Sequence, residues 1–380
     1  MTPTYYEFFA GGGMVRAGLG PGWQCLFAND FDARKCASYR ANWGGGELVE
    51  RDVRALEVAR LPGRADLVWA SFPCQDLSLA GVGAGLGGAR SGAFWPFWSL
   101  IASLRVEGRH PPLLALENVC GALTSHGGRD FAAICAALAE QGYRFGALVI
   151  DAALFVPQSR PRLFIVAARA DLPLAPALLS DAPTPLWRTR ALDTAFDRLP
   201  ESLRTQWLWW RLPPPPARNL TLADLIDDEP DGVAWRSAAE TRALLDMMSA
   251  VNRAKVEAAK VSGRRMVGAL YRRTRYGAGG EKIQRAEARF DDVAGCLRTP
   301  AGGSSRQSIL VVEHGRLRSR LIAARETARL MGLPEDYALP ASYADAYHLT
   351  GDGVVVAVVR HLAAHLFEPA LAAMRARRAA

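Results

Sequence analysis

Asp66-Leu67-Val68-Trp69-Ala70-Ser71-Phe72-Pro73-Cys74-Gln75 reads as a buried strand that runs out at the rim of a sheet and delivers a thiol there. A short apolar run closed by Pro-Cys has the length of a core strand. In open α/β sheets, ligands and chemistry gather outside the carboxyl ends of the strands. Two more strand ends carry reactive groups: 113–116 runs into Glu117-Asn118-Val119, and Pro157-Gln158-Ser159-Arg160-Pro161-Arg162 leads into 163–166. A thiol, a carboxylic acid and two arginines supply a nucleophile, a proton donor and anion-polarising donors. That set suits covalent attack on an electron-poor ring.

Outward from this stretch, residues 5–170 alternate short apolar runs with helical stretches, the pattern of an α/β, doubly wound parallel sheet. Strands are expected at 5–9, 24–28, 65–70, 113–116, 145–150 and 163–167, with helices at 33–42, 94–104 and 129–141. Prolines, including the run Pro213–Pro216, break this rhythm over 171–220. The neighbouring Trp207-Leu208-Trp209-Trp210 reads as core or interface packing. Residues 234–261 are compatible with a helix, and the Arg/Gly-rich part after them reads as loops and short strands. Helical patterns return at 320–330, closed by Gly332 and Pro334, and at 353–366. Residues 1–170 and 320–380 thus form one domain, with a second inserted between them.

Composition narrows the class. Half of the 380 residues are hydrophobic, enough for a sizeable core, yet the apolar runs are far shorter than the roughly 20 residues of a membrane span. Residues 1–6 lack the basic and apolar regions of a secretory signal. The six cysteines have no CxxC pairing, so neither disulfides nor a zinc site is expected, and a cytoplasmic, nucleoid-associated setting fits. Net charge is +8, and 42 of the 46 basic residues are arginine. Residues 253–298 hold twelve basic and five acidic residues, net +7, nearly the whole excess. With Tyr271 and Tyr276 interleaved, this window reads as a phosphate-contacting surface containing Arg272, Arg273 and Arg275.

A nucleoside cofactor is indicated near the start. The first strand enters Phe8-Phe9-Ala10-Gly11-Gly12-Gly13, a turn whose glycines let a ligand approach the backbone. Asn29-Asp30-Phe31-Asp32 ends the second strand, where an acid commonly holds ribose hydroxyls. Asp52, followed by Val53, is placed to accept from an adenine amino group.

In order, FFAGGG at 8–13, NDFD at 29–32, DV at 52–53, FPCQDLSLAG at 72–81, ENV at 117–119, QSRPR at 158–162, RLIAARETARLMGLPEDY at 320–337 and GDGVVVAVV at 351–359 closely resemble the DNA cytosine-5 methyltransferase family. The resemblance implies a Rossmann-like S-adenosylmethionine-dependent domain at 1–185, a smaller target recognition domain at 186–315, and a return to the first domain at 316–380. Its implied cofactor is S-adenosylmethionine and its implied partner double-stranded DNA, with a flipped cytosine as substrate, no metal and a monomeric chain. Cys74 would attack C6, Glu117 would protonate N3, and Arg160 and Arg162 would orient the acid and the base's O2. Phe9, Ala10, Gly11, Gly13, Asp30, Phe31, Asp52, Val53, Pro73 and Asp352 are the implied cofactor contacts. DNA contacts are expected from Gln75, Ser78, Arg90, Gln158, Arg272, Arg273, Arg275, Arg298, Arg306 and Gln307, and the glycine-rich loop at 80–92 should close over the flipped base.

Three positions depart from the family pattern: Asp76-Leu77 where Gly or Ala followed by Phe is usual, Asp352 where Asn is usual, and Asp30 where Glu is usual. None removes a catalytic group. Two alternatives share the scaffold. One is a catalytically silent DNA-binding protein, against which the retention of Cys74, Glu117, Arg160 and Arg162 argues. The other is a tRNA cytosine-5 methyltransferase, whose Cys-Phe-Thr signature is missing: the mid-region cysteine stands in Gly295-Cys296-Leu297. With no long N-terminal regulatory region, the resemblance points to the prokaryotic or phage type.

Overall fold

The computed structural model describes residues 2–73, 91–276, 279–298 and 306–379. Cys74, Gln75, Ser78 and Arg90 lie outside the described residues, as do the 80–90 part of the expected closing loop and residues 302–305. Contacts divide the chain into two compact units, Met1–Asp151 with Pro161–Pro216 and Val354–Ala380, and Ala152–Arg160 with Ala217–Gly353.

The first unit is built on a seven-stranded sheet: β1 (Thr4–Phe8), β2 (Gln24–Asp30), β3 (Leu48–Glu50), β4 (Leu67–Ala70), β5 (Leu113–Val119), β6 (Tyr143–Asp151) and β7 (Pro161–Arg169). Their order is β3-β2-β1-β4-β5-β7-β6. Six strands run parallel, as expected, but β7 is antiparallel to both β5 and β6. The physical reason is the link between Asp151 and Pro161, too short for the crossover of a dozen or more residues that a parallel return requires. The strands are buried along nearly their whole length, which is why they read as continuous apolar runs. The helices Ala33–Trp43, Phe94–Val106 and Arg129–Glu140 fall where their patterns predict. Asp32 starts the first of them by accepting the Arg34 and Lys35 N–H groups, relieving donors that a helix leaves open at its start.

Residues 179–210 add a two-stranded piece, β8 (Leu179–Ser180) and β9 (Trp209–Trp210). The tryptophans serve the core, as read from the sequence: Trp207 and Trp210 are buried, and Trp210 Nε1 donates to the Val166 carbonyl at 3.0 Å. Gly146 permits this approach, because a Cβ there would collide with the Leu208 carbonyl. Besides 151/152 and 160/161, the unit boundaries fall at 216/217 and 353/354; the sequence reading drew its domain boundaries at 185/186 and 315/316.

The second unit carries β10 (Met266–Tyr276), β11 (Lys282–Arg289), β12 (Ser308–Glu313) and β13 (Arg316–Leu321), ordered β11-β10-β12-β13 and antiparallel throughout. Helices Ala238–Asp246 and Ala250–Val261 pack against it through Leu244, Met248, Val256, Leu270, Ala286, Ala288 and Leu310. Three expectations change here. The 234–261 stretch is two helices, the second restarted by the Ser249 cap. Strands β10 and β11 are long rather than short. Residues 320–321 end a strand, and the helix begins at Ala324. The Arg-Leu alternation of 316–321 has period two, and buried Arg320 turns back to a fully buried ion pair with Glu326 at 2.6 Å.

Among the described residues one helical run, Tyr343–Ala376, is long and apolar enough to match a membrane span, but 61% of its apolar window is buried inside the protein. The helical backbone is also interrupted at residues 353–355.

Candidate active site

The turn after β1 is held from β2. Phe9, Gly11 and Gly13 all adopt left-handed backbone (φ +59°, +55° and +77°), a conformation that is strained for Phe9. The Asp30 carboxylate accepts the Gly11 N–H at 2.8 Å through one oxygen and the Asp32 N–H at 2.9 Å through the other. Ala10 N–H donates to the Asn29 carbonyl at 2.8 Å. A Cβ on Gly11 would meet nothing within 4 Å, whereas one on Gly13 would strike Trp43. Gly13 is therefore required by packing, and the space over Gly11 is open. Phe31, 65% exposed, presents an aromatic face immediately after Asp30. Val53 is buried, and Asp52 caps its own turn through the Arg54 N–H and pairs with the Arg54 guanidinium at 3.0 Å. An open glycine cradle, a carboxylate with lone pairs to spare and an exposed aromatic ring fit a nucleoside ligand such as S-adenosylmethionine.

Sequence reading passed over Glu7. It lies in β1 two residues before the turn, is 1% exposed, and neither of its oxygens accepts a hydrogen bond of ordinary geometry among the described residues. Burial, reinforced by the charge of Asp30, pushes its carboxyl up to about 8, against the pull of Arg16 and the Val15 N–H. The signal was present: an acid inside the otherwise apolar run Tyr5-Tyr6-Glu7-Phe8.

At the carboxyl end of β5 stands Glu117, 7% exposed, with Arg162 Nε 3.3 Å from its Oε1. The next residue, Asn118, is buried and donates from Nδ2 to the Phe72 carbonyl at 3.2 Å. It thereby ties β5 to the segment that leads through half-buried Pro73 to Cys74. Because β4 and β5 are parallel neighbours (Ala70↔Leu116), residues 71–73 and the Glu117–Arg162 pair leave the same end of the sheet. Cys120 follows; burial pushes its thiol up and Arg162 draws it back.

Arg160 belongs to the second unit, and its contacts differ from the expectation that it orients the acid. It is 2% exposed, and its guanidinium donates to the carbonyls of Leu297 (2.9 Å), Gly351 (2.8 Å) and Gly353 (2.7 Å) and to Cys296 Sγ (3.3 Å). These bonds grip the backbone on both sides of exposed Asp352.

Gln158 and Gln307 do not stand at a surface that reads DNA. Gln158 is fully buried; its Nε2 donates to the Leu330 carbonyl at 2.8 Å and its Oε1 accepts the Leu297 N–H at 3.1 Å. Gln307 is 5% exposed, and its side-chain amide pairs with the Gly295 N–H and carbonyl at 2.8 and 3.1 Å. Both amides satisfy buried backbone groups, an arrangement that composition does not reveal. Arg272, Arg273, Arg275 and Arg298 are exposed, and Arg306 lies over the Tyr343 ring at 5.2 Å. Among the described residues no three His, Cys, Asp or Glu side chains group as metal ligands.

The family model described as C-5 cytosine-specific DNA methylase matches residues 4–368. Type II methyltransferase M.NlaX of Neisseria lactamica is 26% identical over 362 residues, 94% of each chain. Type II methyltransferase M.PspPI of Psychrobacter sp. is 30% identical over 240 residues, 60% of this chain and 53% of that relative. Among solved structures, the Entamoeba histolytica methyltransferase EhMeth superposes with a TM-score of 0.62 at 12% identity, covering 97% of this chain and 98% of that one. Spodoptera frugiperda DNMT2 gives 0.59 at 17% identity, covering 96% and 99%; at such identities these two speak for the fold. The match over nearly the whole chain places this protein in the C-5 cytosine-specific DNA methylase family.

Proposed function

We propose that this chain methylates C5 of a cytosine turned out of double-stranded DNA, through a covalent adduct between Cys74 and C6. Family membership carries the coarser part: the acceptor is cytosine in DNA and the methyl donor is S-adenosylmethionine. The observation that best supports the finer part is the Glu117–Arg162 pair, fastened by Asn118 to the segment entering Cys74.

Cytosine C5 is a poor nucleophile. Addition of a thiolate at C6 turns the ring into an enamine whose C5 carries the electron pair, and a thiol with an ordinary pKa of about 8.5 is suited to this. Glu117 gives its proton to N3 as charge develops there, and Arg162 fixes that acid while offering N–H donors toward O2. Gly11, Asp30 and Phe31 would hold S-adenosylmethionine, which would supply an electrophilic methyl group when bound. A base or water then takes the C5 proton, the Cys74 sulfur leaves as thiolate, and N3 returns its proton to Glu117, restoring the aromatic ring. The base leaves the duplex to reach these groups, while Arg272, Arg273, Arg275 and Arg298 on the second unit contact DNA, giving that unit the part of target recognition domain. A monomer working on the nucleoid in the cytoplasm suffices for this chemistry, and the type II relatives favour a place beside a restriction nuclease.

Trapping on duplex DNA containing 5-fluorocytosine tests the reading. Fluorine blocks the final elimination, so a cofactor-dependent covalent complex should form with the parent and vanish in Cys74→Ala. DNA binding without any adduct in the parent would instead favour a catalytically silent scaffold.

A further inference from the structure

Glu7 is a buried carboxyl that the proposed catalysis does not use. It stands inside the sheet of the first unit, on a strand paired with both β2 and β4 (Glu7↔Ala28 and Glu7↔Trp69). The left-handed turn begins two residues later, at Phe9. Glu7 is 1% exposed, and neither oxygen accepts a hydrogen bond of ordinary geometry among the described residues. Groups reach it from both sides of the turn: Asp30 from the end of β2, and Arg16 with the Val15 N–H from the helix Met14–Leu19 that the turn leads into. The carboxyl therefore lies behind the backbone whose outer side is open at Gly11. Arg16 is engaged elsewhere: it pairs with Glu47, donates to the Tyr39 hydroxyl at 2.9 Å and lies over the Trp43 ring at 5.4 Å. Tyr5, Cys25 and Tyr39, which also act on the carboxyl, are pushed up by burial and stay neutral.

We infer that Glu7 is the residue by which this chain tells the charged methyl donor from its neutral product. Its carboxyl gives up a proton when a sulfonium is seated in the cradle and takes one back when only the thioether remains. The inference rests on the reading of the glycine turn as the cofactor cradle. S-adenosylmethionine and S-adenosylhomocysteine differ by one methyl group and one positive charge, and share every other group that a cradle could hold. As the donor binds, the Glu7 O–H bond breaks, the proton passes to solvent, and the carboxylate left behind offsets the sulfonium charge. Once the sulfur is uncharged, the carboxylate is reprotonated from solvent. A cation about 10 Å from a carboxylate, at the effective dielectric of about 20 that holds even for buried sites, favours ionisation roughly fifteenfold. Burial already holds the Glu7 carboxyl up at about 8, so a change of that size carries it from mostly protonated to mostly ionised near about pH 7.4. The coupling is reciprocal, and the ionised carboxylate strengthens donor binding by the same factor. The blander reading is an acid that merely stays protonated and fills space. It leaves two buried oxygens without partners, a cost that an apolar side chain in the same place would not carry.

The test is the affinity of the full chain for each of the two ligands, followed by titration calorimetry in the parent and in Glu7→Gln. In the parent, the preference for S-adenosylmethionine over S-adenosylhomocysteine should rise about tenfold between about pH 6 and about pH 9. Near about pH 7.4 the donor should release about half a proton more than the product, read from heats in buffers of different ionisation enthalpy. A merely structural Glu7 would not move that count. In Glu7→Gln the preference should follow only the ligands' own amino groups, whose titration in free solution is common to both proteins. A parent whose preference, corrected for those amino groups, is flat with pH overturns the inference whether or not the variant folds. A variant that keeps the parent's pH dependence overturns it too, while leaving the cradle intact. A parent that binds neither ligand overturns the cradle reading as well.

Discussion

Arg162 Nε lies 3.3 Å from Glu117 Oε1, a diagonal pair on one face of the β5–β7 ladder, where Arg162 stands opposite Val119. The pairing exists because β7 returns antiparallel: its first residues meet the last residues of β5 and bring an arginine beside the acid. Glu117→Gln keeps the shape and removes the transferable proton. It should lower single-turnover methyl transfer by about 10²–10⁴-fold, with DNA and cofactor affinity changed by no more than about twofold. Equal losses in binding and turnover would assign Glu117 a structural part instead.

How much of this was legible follows from what each residue packs against. Strands buried on both faces announce themselves as apolar runs, so β1, β2 and β4–β7 were readable, whereas the three residues of β3 were too few to make a pattern. The direction of β7 is set by the length of the link before it and not by its composition. Glu117 and Arg162 stood out because charged residues at apolar strand ends are conspicuous. Gln158, Gln307 and Arg160 misled because a polar side chain in sequence carries no mark of the backbone carbonyls it will meet. Glu7 was missed for the opposite reason: one letter in a strand looks incidental until its burial is seen.

Asp30 shapes the turn proposed as the cofactor cradle through its bond to Gly11 N–H (2.8 Å). Asp30→Ala removes an ionised acceptor from two backbone donors, a loss of about 1.5–3 kcal/mol per charged hydrogen bond. S-adenosylmethionine affinity, followed by titration calorimetry, should fall about 10–100-fold, with DNA affinity unchanged. A cofactor Kd within about threefold of the parent would remove Asp30 from the site.

Arg160 and Arg162 are two residues apart, and their substitution should separate cleanly. Arg160→Met leaves the Leu297, Gly351 and Gly353 carbonyls without their donor in a buried place. Unfolding by urea should show a loss of about 3–5 kcal/mol. Arg162→Met takes the cation from a Glu117 side chain that is 9% exposed and should cost less, about 1–3 kcal/mol, while suppressing methyl transfer. Similar stability for both variants would contradict the division of labour between them.

Glu7 makes the stability of the first unit depend on pH in an unusual direction. Its carboxyl is raised by burial from 4.5 to about 8, so between those values the folded chain keeps a proton that the unfolded chain releases. Stability therefore falls as pH rises through that window, with a slope approaching about 1.4 kcal/mol per pH unit. This is opposite in sign to the effect of a salt-bridged carboxylate. Glu7→Gln is neutral at every pH and nearly the same shape. Urea unfolding of parent and variant should give similar stabilities near about pH 5 and a difference in favour of the variant that widens steadily to about pH 8. A difference that stays flat across that range would mean that Glu7 is ionised in the folded chain, with Arg16 outweighing its burial.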